Sequence, residues 1–338
     1  MTLRDTPLDI AVTRGTLVES RHSVLAVIAD ANGSVREGWG DLSRPVFARS
    51  AIKPLQALPL LETGAADRFA LTLQHIAIAC ASHMGEPRHV ALVAEWLARI
   101  GLTEEHLACG AHDPLNVEAA YGLVRAGQAA SQLHNNCSGK HTGFLTTAVH
   151  CGDPLQGYLA YDHPVQRRIL ATLAEVTGAP YTTLPYGIDG CGIPTVAAPL
   201  TALAVGMARL DDPIGQPVAR AKAGARITEA MAAEPFFVSG TGQTTTVTME
   251  AAGARTVLKT GAEGVYAATV RGRGLGIAVK AEDGNERGAA LAMLTLLDRL
   301  GVFDAAATAA LEAQLHPTLT NRGGTLVGRI VVETPPAF

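Results

Sequence analysis

The spacing of apolar and polar residues changes character along the chain. Ile10-Ala11-Val12-Thr13-Arg14-Gly15, Leu17-Val18-Glu19-Ser20 and Val24-Leu25-Ala26-Val27-Ile28-Ala29 are β-branched and apolar. Together, residues 8–31 read as strands around a short turn, although their alternation is imperfect. From about residue 50 to 234 the spacing becomes helical, over residues 53–63, 88–100, 164–177 and 194–208. The intervening loops carry Gly, His, Asn and Cys, where chemistry tends to sit. Strand character returns at residues 244–249, 256–259, 265–270 and 274–280, separated by short Gly-containing breaks as in an antiparallel meander. Residues 285–300 then form an amphipathic helix that Asp283 or Asn285 would cap.

Strands at both ends with helices between them predict an α+β fold. An antiparallel sheet would be built from the N- and C-terminal strands, flanked by helices, with a helical subdomain inserted. With no repeat and no flexible linker, residues 1–338 read as a single catalytic domain. Its sheet subdomain would be residues 1–49 plus 235–338, and its mainly helical subdomain residues 50–234.

Composition narrows the function classes. At 338 residues and 48% hydrophobic, the chain can bury a large core, and with 4% aromatics Ala, Leu and Val must fill it. The net charge of −4, without long runs of one sign, offers no footprint for nucleic acid or an anionic membrane. No window approaches about 18 uninterrupted apolar residues, so no transmembrane helix is expected. The start Met1-Thr2-Leu3-Arg4-Asp5 lacks the features of a signal peptide, so a cytoplasmic location is expected. Cys80, Cys109, Cys137, Cys151 and Cys191 would then be reduced, and an odd, widely spaced set argues against a disulfide framework.

Three constellations stand out. Arg49-Ser50-Ala51-Ile52-Lys53 is an S-x-x-K; on a helix its Ser50 and Lys53 share one face. A neutral amine within reach can take the serine's proton, although a capping serine followed by a surface lysine has the same spacing. Lys259-Thr260-Gly261 ends a strand. S-x-x-K on a helix and K-T-G on a strand are two parts of the active-site signature of serine β-lactamases and penicillin-binding proteins. The S-D-N element is missing; its nearest candidate is Ser82, in Cys80-Ala81-Ser82-His83-Met84. The third is His134-Asn135-Asn136-Cys137-Ser138-Gly139-Lys140-His141, answered by Gly187-Ile188-Asp189-Gly190-Cys191-Gly192. Two thiolates and one nitrogen, from His141 or Lys140, suit zinc with a position left open; two buried inert cysteines are the plain alternative. Gly272-Arg273-Gly274-Leu275-Gly276 lies in the meander, outside any phosphate-binding context, and Cys109-Gly110-Ala111-His112 reads as a structural turn.

From about residue 10 to 331 the sequence resembles the bacterial L-asparaginases of the Rhizobium etli type, an asparaginase II family with a serine β-lactamase/glutaminase-like fold. The resemblance rests on the constellations above, together with Ala262-Glu263-Gly264 and Lys280-Ala281-Glu282-Asp283-Gly284, all in order. It implies a homodimer and two Ser-Lys pairs, Ser50 with Lys53 and Ser82 with Lys259; Lys280 lies one hairpin later as another lysine for Ser82. It also implies one zinc per chain on Cys137, Lys140 and Cys191. Arg49, His83, Asn136, His141 and Asp189 would contact substrate or support the site. Gly240-Thr241-Gly242-Gln243 departs from the family pattern, where an arginine follows the second glycine, and this bears on substrate contacts.

The implied reaction is hydrolysis of L-asparagine to aspartate and ammonia by Ser50, activated by Lys53, with zinc orienting the substrate. Desolvation and a second cation would both favour the neutral lysine. A glutaminase differs by one methylene in the substrate. A penicillin-recognising hydrolase would share the serine and lysine but not the cysteines. A non-catalytic zinc- or amino-acid-binding module would need the cysteines but not Ser50.

Overall fold

The computed structural model describes residues 2–333; Met1 and residues 334–338, the ends of the expected sheet subdomain, lie outside them. The chain divides into two units. The sheet unit is residues 1–51, 198–214 and 247–338; the helical unit is residues 52–197 and 215–246.

The sheet unit is built on a nine-stranded sheet. Its centre is the long strand Leu17–Asp30, which pairs antiparallel with Leu8–Arg14 along its first half and with Leu275–Ala281 along its second. N-terminal and C-terminal strands therefore share one sheet, as the split strand pattern predicts. Leu275–Ala281 continues to Val265–Val270 and then to Thr256–Gly261, each antiparallel. Helices cover both faces. Thr269 Oγ1 donates to the Met207 carbonyl of helix Leu200–Asp211, while its neighbours in the alternation include Tyr266, whose hydroxyl donates to Glu286 of helix Glu286–Arg299. Odd and even positions of one strand point to opposite faces, so the two helices sandwich the sheet. All six residues of Val265–Val270 are consequently buried. That explains the continuous apolar runs and the imperfect alternation. The helix expected at residues 285–300 spans Glu286–Arg299, and Asn285 caps it by accepting from Arg287 N at 3.1 Å.

Three expected elements differ. Residues 244–249, expected as strand, are the start of helix Thr244–Ala252. Thr245, Thr246, Thr248, Met249 and Ala252 are buried in it, and all but Thr246 follow a helical spacing that threonines disguise. Residues 194–208 are not one helix: Pro194–Pro199 is a strand paired with Tyr186–Ile188, and the helix is Leu200–Asp211. Pro199 holds Ala198 extended and so delays the helix. Residues 53–63 form two short helices, Lys53–Gln56 and Leu58–Glu62, since Pro59 removes the hydrogen bond that would join them.

The helical unit centres on Ser138–Cys151, buried from Ser138 to Ala148. Its threonines bury their hydroxyls by donating back one turn, Thr142 to Ser138 O at 2.9 Å and Thr146 to Thr142 O at 2.7 Å. Helix Leu73–Ala79 packs so closely on it that a Cβ at Gly139 would lie 2.4 Å from Ile78 O. Several helices of this unit start on a histidine. At Thr72/His75, Glu86/His89, Thr103/His106 and Ser131/His134, the histidine Nδ1 accepts the backbone N–H of the capping residue three positions earlier. This is the role Glu or Gln usually fills.

Candidate active site

Ser50 sits on the short 3-10 turn Arg49–Ile52, half-buried, not inside an α-helix. Arg49, before it, has φ +49°, a left-handed conformation rare for a side chain with a Cβ and a sign of a constrained turn. In the sheet unit, the end of strand Thr256–Gly261 supports this turn. A Cβ at Gly261 would fall 2.8 Å from both Ala48 O and Ala51 N and 3.2 Å from Ser50 N. Glycine is required there because the strand backbone touches the backbone of the serine turn.

Lys259, two residues earlier, is fully buried and donates to Thr260 O at 2.6 Å. It faces Ala267 across the strand pair, on the sheet face covered by Leu200–Asp211. Lys280, the alternative lysine, is part-exposed and donates to the carbonyls of Glu263 and Ala281 at the hairpin end. Burial is the first cause pulling its ammonium below the ordinary lysine range.

In the helical unit, Lys53 opens helix Lys53–Gln56 with its side chain wholly buried. Its amine donates to Ala81 O, lies 2.9 Å from Ser82 Oγ and 3.1 Å from Cys137 Sγ. The serine-lysine and cysteine motifs, 84 residues apart in sequence, thus meet at one nitrogen. The loop at Ser82 is pinned on both sides, by Ser82 N to Val238 O and His83 N to Asn136 O, each 3.1 Å. His83 is buried and neutral: burial pushes its pKa well down. Its Nδ1 accepts Gly85 N–H at 3.2 Å, so Nε2 carries the proton and donates to Ser138 Oγ at 2.9 Å.

Cys137 precedes the central helix, and Lys140 and His141 follow on the same helical face. Cys191 arrives on a tight turn in which Gly192 N donates to Asp189 O at 2.8 Å and Asp189 Oδ1 accepts from Gly190 N at 2.8 Å. The two thiols hydrogen-bond each other. That bond raises Cys137 and lowers Cys191, as for two thiols that share one proton. Lys140 Nζ donates to Cys191 Sγ at 3.0 Å. Burial disfavours its ammonium, but Cys137 and Cys191 outweigh burial and leave it raised.

Among the described residues, no three His, Cys, Asp and Glu side chains gather in a metal-ligand group. The donors that converge are two thiols and an amine, a set that suits zinc once Cys137 and Lys140 lose their protons. Cys109 stays outside it: burial pushes its thiol up to about 12, and its Sγ lies 3.7 Å from Gln132 O.

Several supports have no local signature in the sequence. Asn135 holds the loop Cys109–His112, donating to Cys109 O and Gly110 O at 2.9 Å each, while its Oδ1 accepts Cys137 N–H at 2.8 Å. His112 Nε2 accepts Asn136 N–H at 2.9 Å, which makes that loop a structural splint. Tyr158 reaches His141 at 2.7 Å from 17 residues away. In the departing stretch, Thr241 donates from N and Oγ1 to the Glu86 carboxylate at 2.8 and 2.7 Å.

Among the described residues no helix is long and apolar enough to cross a membrane. The α+β architecture is that of the serine β-lactamase/glutaminase-like proteins. Comparison with curated proteins produced no match. The family profile described as L-asparaginase II matches residues 10–332, nearly the whole chain, and the protein belongs to that hydrolase family.

Proposed function

We propose that the protein is an L-asparaginase acting through Ser50, of the kind the Rhizobium etli type represents, working as a cytoplasmic homodimer. The observation that carries this reading is the buried Lys53 amine, which touches Ser82 and Cys137 at once and stands three residues from Ser50. Ser50 Oγ attacks the side-chain amide carbon of asparagine while Lys53 accepts the hydroxyl proton. The tetrahedral intermediate collapses, its C–N bond breaks, and the departing nitrogen takes a proton to leave as ammonia. Water then attacks the β-aspartyl ester, giving aspartate and restoring Ser50. Ser82, hydrogen-bonded to Lys53, relays or orients that proton, and Lys259 supplies a second amine. Arg49, Asn136 and Asp189 are assigned to the substrate. Cys137, Lys140 and Cys191 would hold zinc, which when bound supplies substrate orientation and charge stabilisation.

Ammonia release over a panel of L-asparagine, L-glutamine and a β-lactam tests the reading. L-Asparagine should exceed L-glutamine by about 10- to 200-fold, the discrimination one methylene allows. β-Lactam hydrolysis with inert L-asparagine would assign a penicillin-recognising enzyme instead. Elemental analysis of chelator-free protein should show about one zinc per chain.

A further inference from the structure

His141 contains a polar atom that the fold does not satisfy. The ring is fully buried, and its Nε2 has no hydrogen-bond partner among the described residues. Its Nδ1 lies 2.7 Å from Tyr158 Oη, and that same oxygen accepts the backbone N–H of Ala108 at 2.9 Å.

Hydrogen-bond arithmetic then selects a tautomer. The Ala108 N–H can only donate, so Tyr158 Oη accepts there and has one O–H left to give. If that O–H donates to Nδ1, the Nε2–H is the one unmet group. If Nδ1 carried the proton instead, the tyrosine O–H and the Nε2 lone pair would both be unmet. An unmet buried group is costly, so one against two favours the Nε2–H tautomer. Tyr158 is itself immobile: its ring is buried edge-on to His141, and its carbonyl accepts from Gln166 Nε2 at 2.9 Å.

His141 shares the helical face of Cys137 and Lys140. Lys140, Cys137, Lys53 and Asp189 are the charged and thiol groups that bear on it electrostatically. A fixed N–H donor with no acceptor among the described residues, placed at that cluster, calls for an acceptor from outside. We propose that Tyr158 is a positioning residue that locks His141 as the Nε2–H tautomer, making the ring a buried hydrogen-bond donor to an oxygen of the bound small molecule and not a metal ligand. This rests on the amidohydrolase reading for the identity of that molecule, but not for the tautomer.

Long-range 15N–1H correlation spectra of the purified protein test the proposal, with the His141 signals assigned by His141→Gln. Without ligand, Nδ1 should show an unprotonated shift and Nε2 a protonated one. Added L-aspartate should move the Nε2–H signal, and zinc alone should leave that proton in place. Tyr158→Phe should average the two nitrogen shifts and weaken L-aspartate binding about three- to tenfold. The wild-type spectrum decides the tautomer even if that variant does not fold. A protonated Nδ1 would overturn the proposal, as would loss of the Nε2 proton on adding zinc, or an unmoved Nε2–H when calorimetry shows L-aspartate bound. If calorimetry shows no L-aspartate binding, the asparaginase reading fails while the ligand-free spectrum still judges the tautomer.

Discussion

The sheet unit and the helical unit handle polarity in opposite ways. All five cysteines and nine of the eleven histidines lie within residues 52–197, whereas the sheet unit carries only His22 and His316. Polar contacts in the sheet unit are largely arginine-carboxylate pairs near its surface: Arg299 with Glu37 at 2.6 Å, Arg36 with Asp30 at 2.6 Å and Arg4 with Glu37 at 3.4 Å. Such pairs contribute little each, and apolar packing does most of the rest, around a few buried polar groups such as Lys259 and His22. The helical unit instead buries Lys53, Lys140, His83 and His141, and partners them with thiols, hydroxyls and the Ala81 carbonyl, while His141 Nε2 stays unmet among the described residues. One unit is a packing scaffold that carries Ser50 and Lys259. The other is a polar interior whose state depends on protons. Damage to the first should show as lost folding or lost nucleophile, and damage to the second as altered chemistry at preserved fold.

The sharpest break of that contrast is between the two serines. Ser50→Ala in the sheet unit should lower L-asparagine turnover by about a thousandfold or more, and Lys53→Met in the helical unit nearly as much. Their double variant should be little worse than either, because residues that act as one unit lose activity non-additively. Ser82→Ala should be milder, since it removes one partner of the Lys53 amine and leaves Ala81 O and Cys137. Mass spectrometry of enzyme quenched during turnover should find the acyl group on Ser50. An adduct on Ser82, or full activity in Ser50→Ala, would invert the roles given to the two serines.

A smaller effect separates the units through their tight glycines. Gly261→Ala would press on Ala48 O and Ala51 N at 2.8 Å, and Gly139→Ala on Ile78 O at 2.4 Å. Each neighbour is backbone, so each variant should lose about 1–3 kcal/mol of stability in chemical denaturation. Their side effects should differ. Gly139→Ala shifts the helix that carries Lys140 and should weaken zinc binding, while Gly261→Ala shifts the serine turn and should leave zinc affinity unchanged. Equal zinc affinities in both variants would remove the distinction.

Much of this was legible in the sequence wherever one period repeats or one residue type is rare. The runs at 265–270 and 274–280 are strands because β-branched and small apolar residues fill both faces, and the helix after Asn285 announces its own cap. The dense stretch from His134 to His141 is conspicuous because buried helices rarely hold so many polar groups. Residues 244–249 misled because threonine favours strands, and here the helix forms with Thr246 donating to Pro235 O and Thr248 Oγ1 left without a partner among the described residues. Contacts between distant segments left no trace in spacing. The family resemblance pairs Lys53 with Ser50 and Lys259 with Ser82, and nothing local indicates that Lys53 also reaches Ser82 and Cys137. Tyr158 is equally invisible, since only the folded chain brings it to His141.

The finest test of the contrast concerns acid. His75, His83 and His89 all have pKa values lowered from 6.5, with burial as the largest cause. Each also accepts a backbone N–H at Nδ1, from Thr72, Gly85 and Glu86 respectively, which a protonated ring cannot do. Because the folded value lies below the unfolded one, the unfolded chain binds more protons as pH falls past about 6.5. Stability from these groups is therefore fully present above that pH and lost below it, at up to about 1.4 kcal/mol per pH unit for each proton difference. The sheet unit's carboxylates ordinarily titrate near pH 4, so the helical unit should weaken first. Thermal melts from pH 7.5 to 5 should show a falling midpoint. His75→Gln with His89→Gln should flatten that fall, because glutamine can accept the same capping N–H and does not titrate in this range. Parallel slopes in the wild type and the double variant would mean that these imidazoles do not govern the acid response.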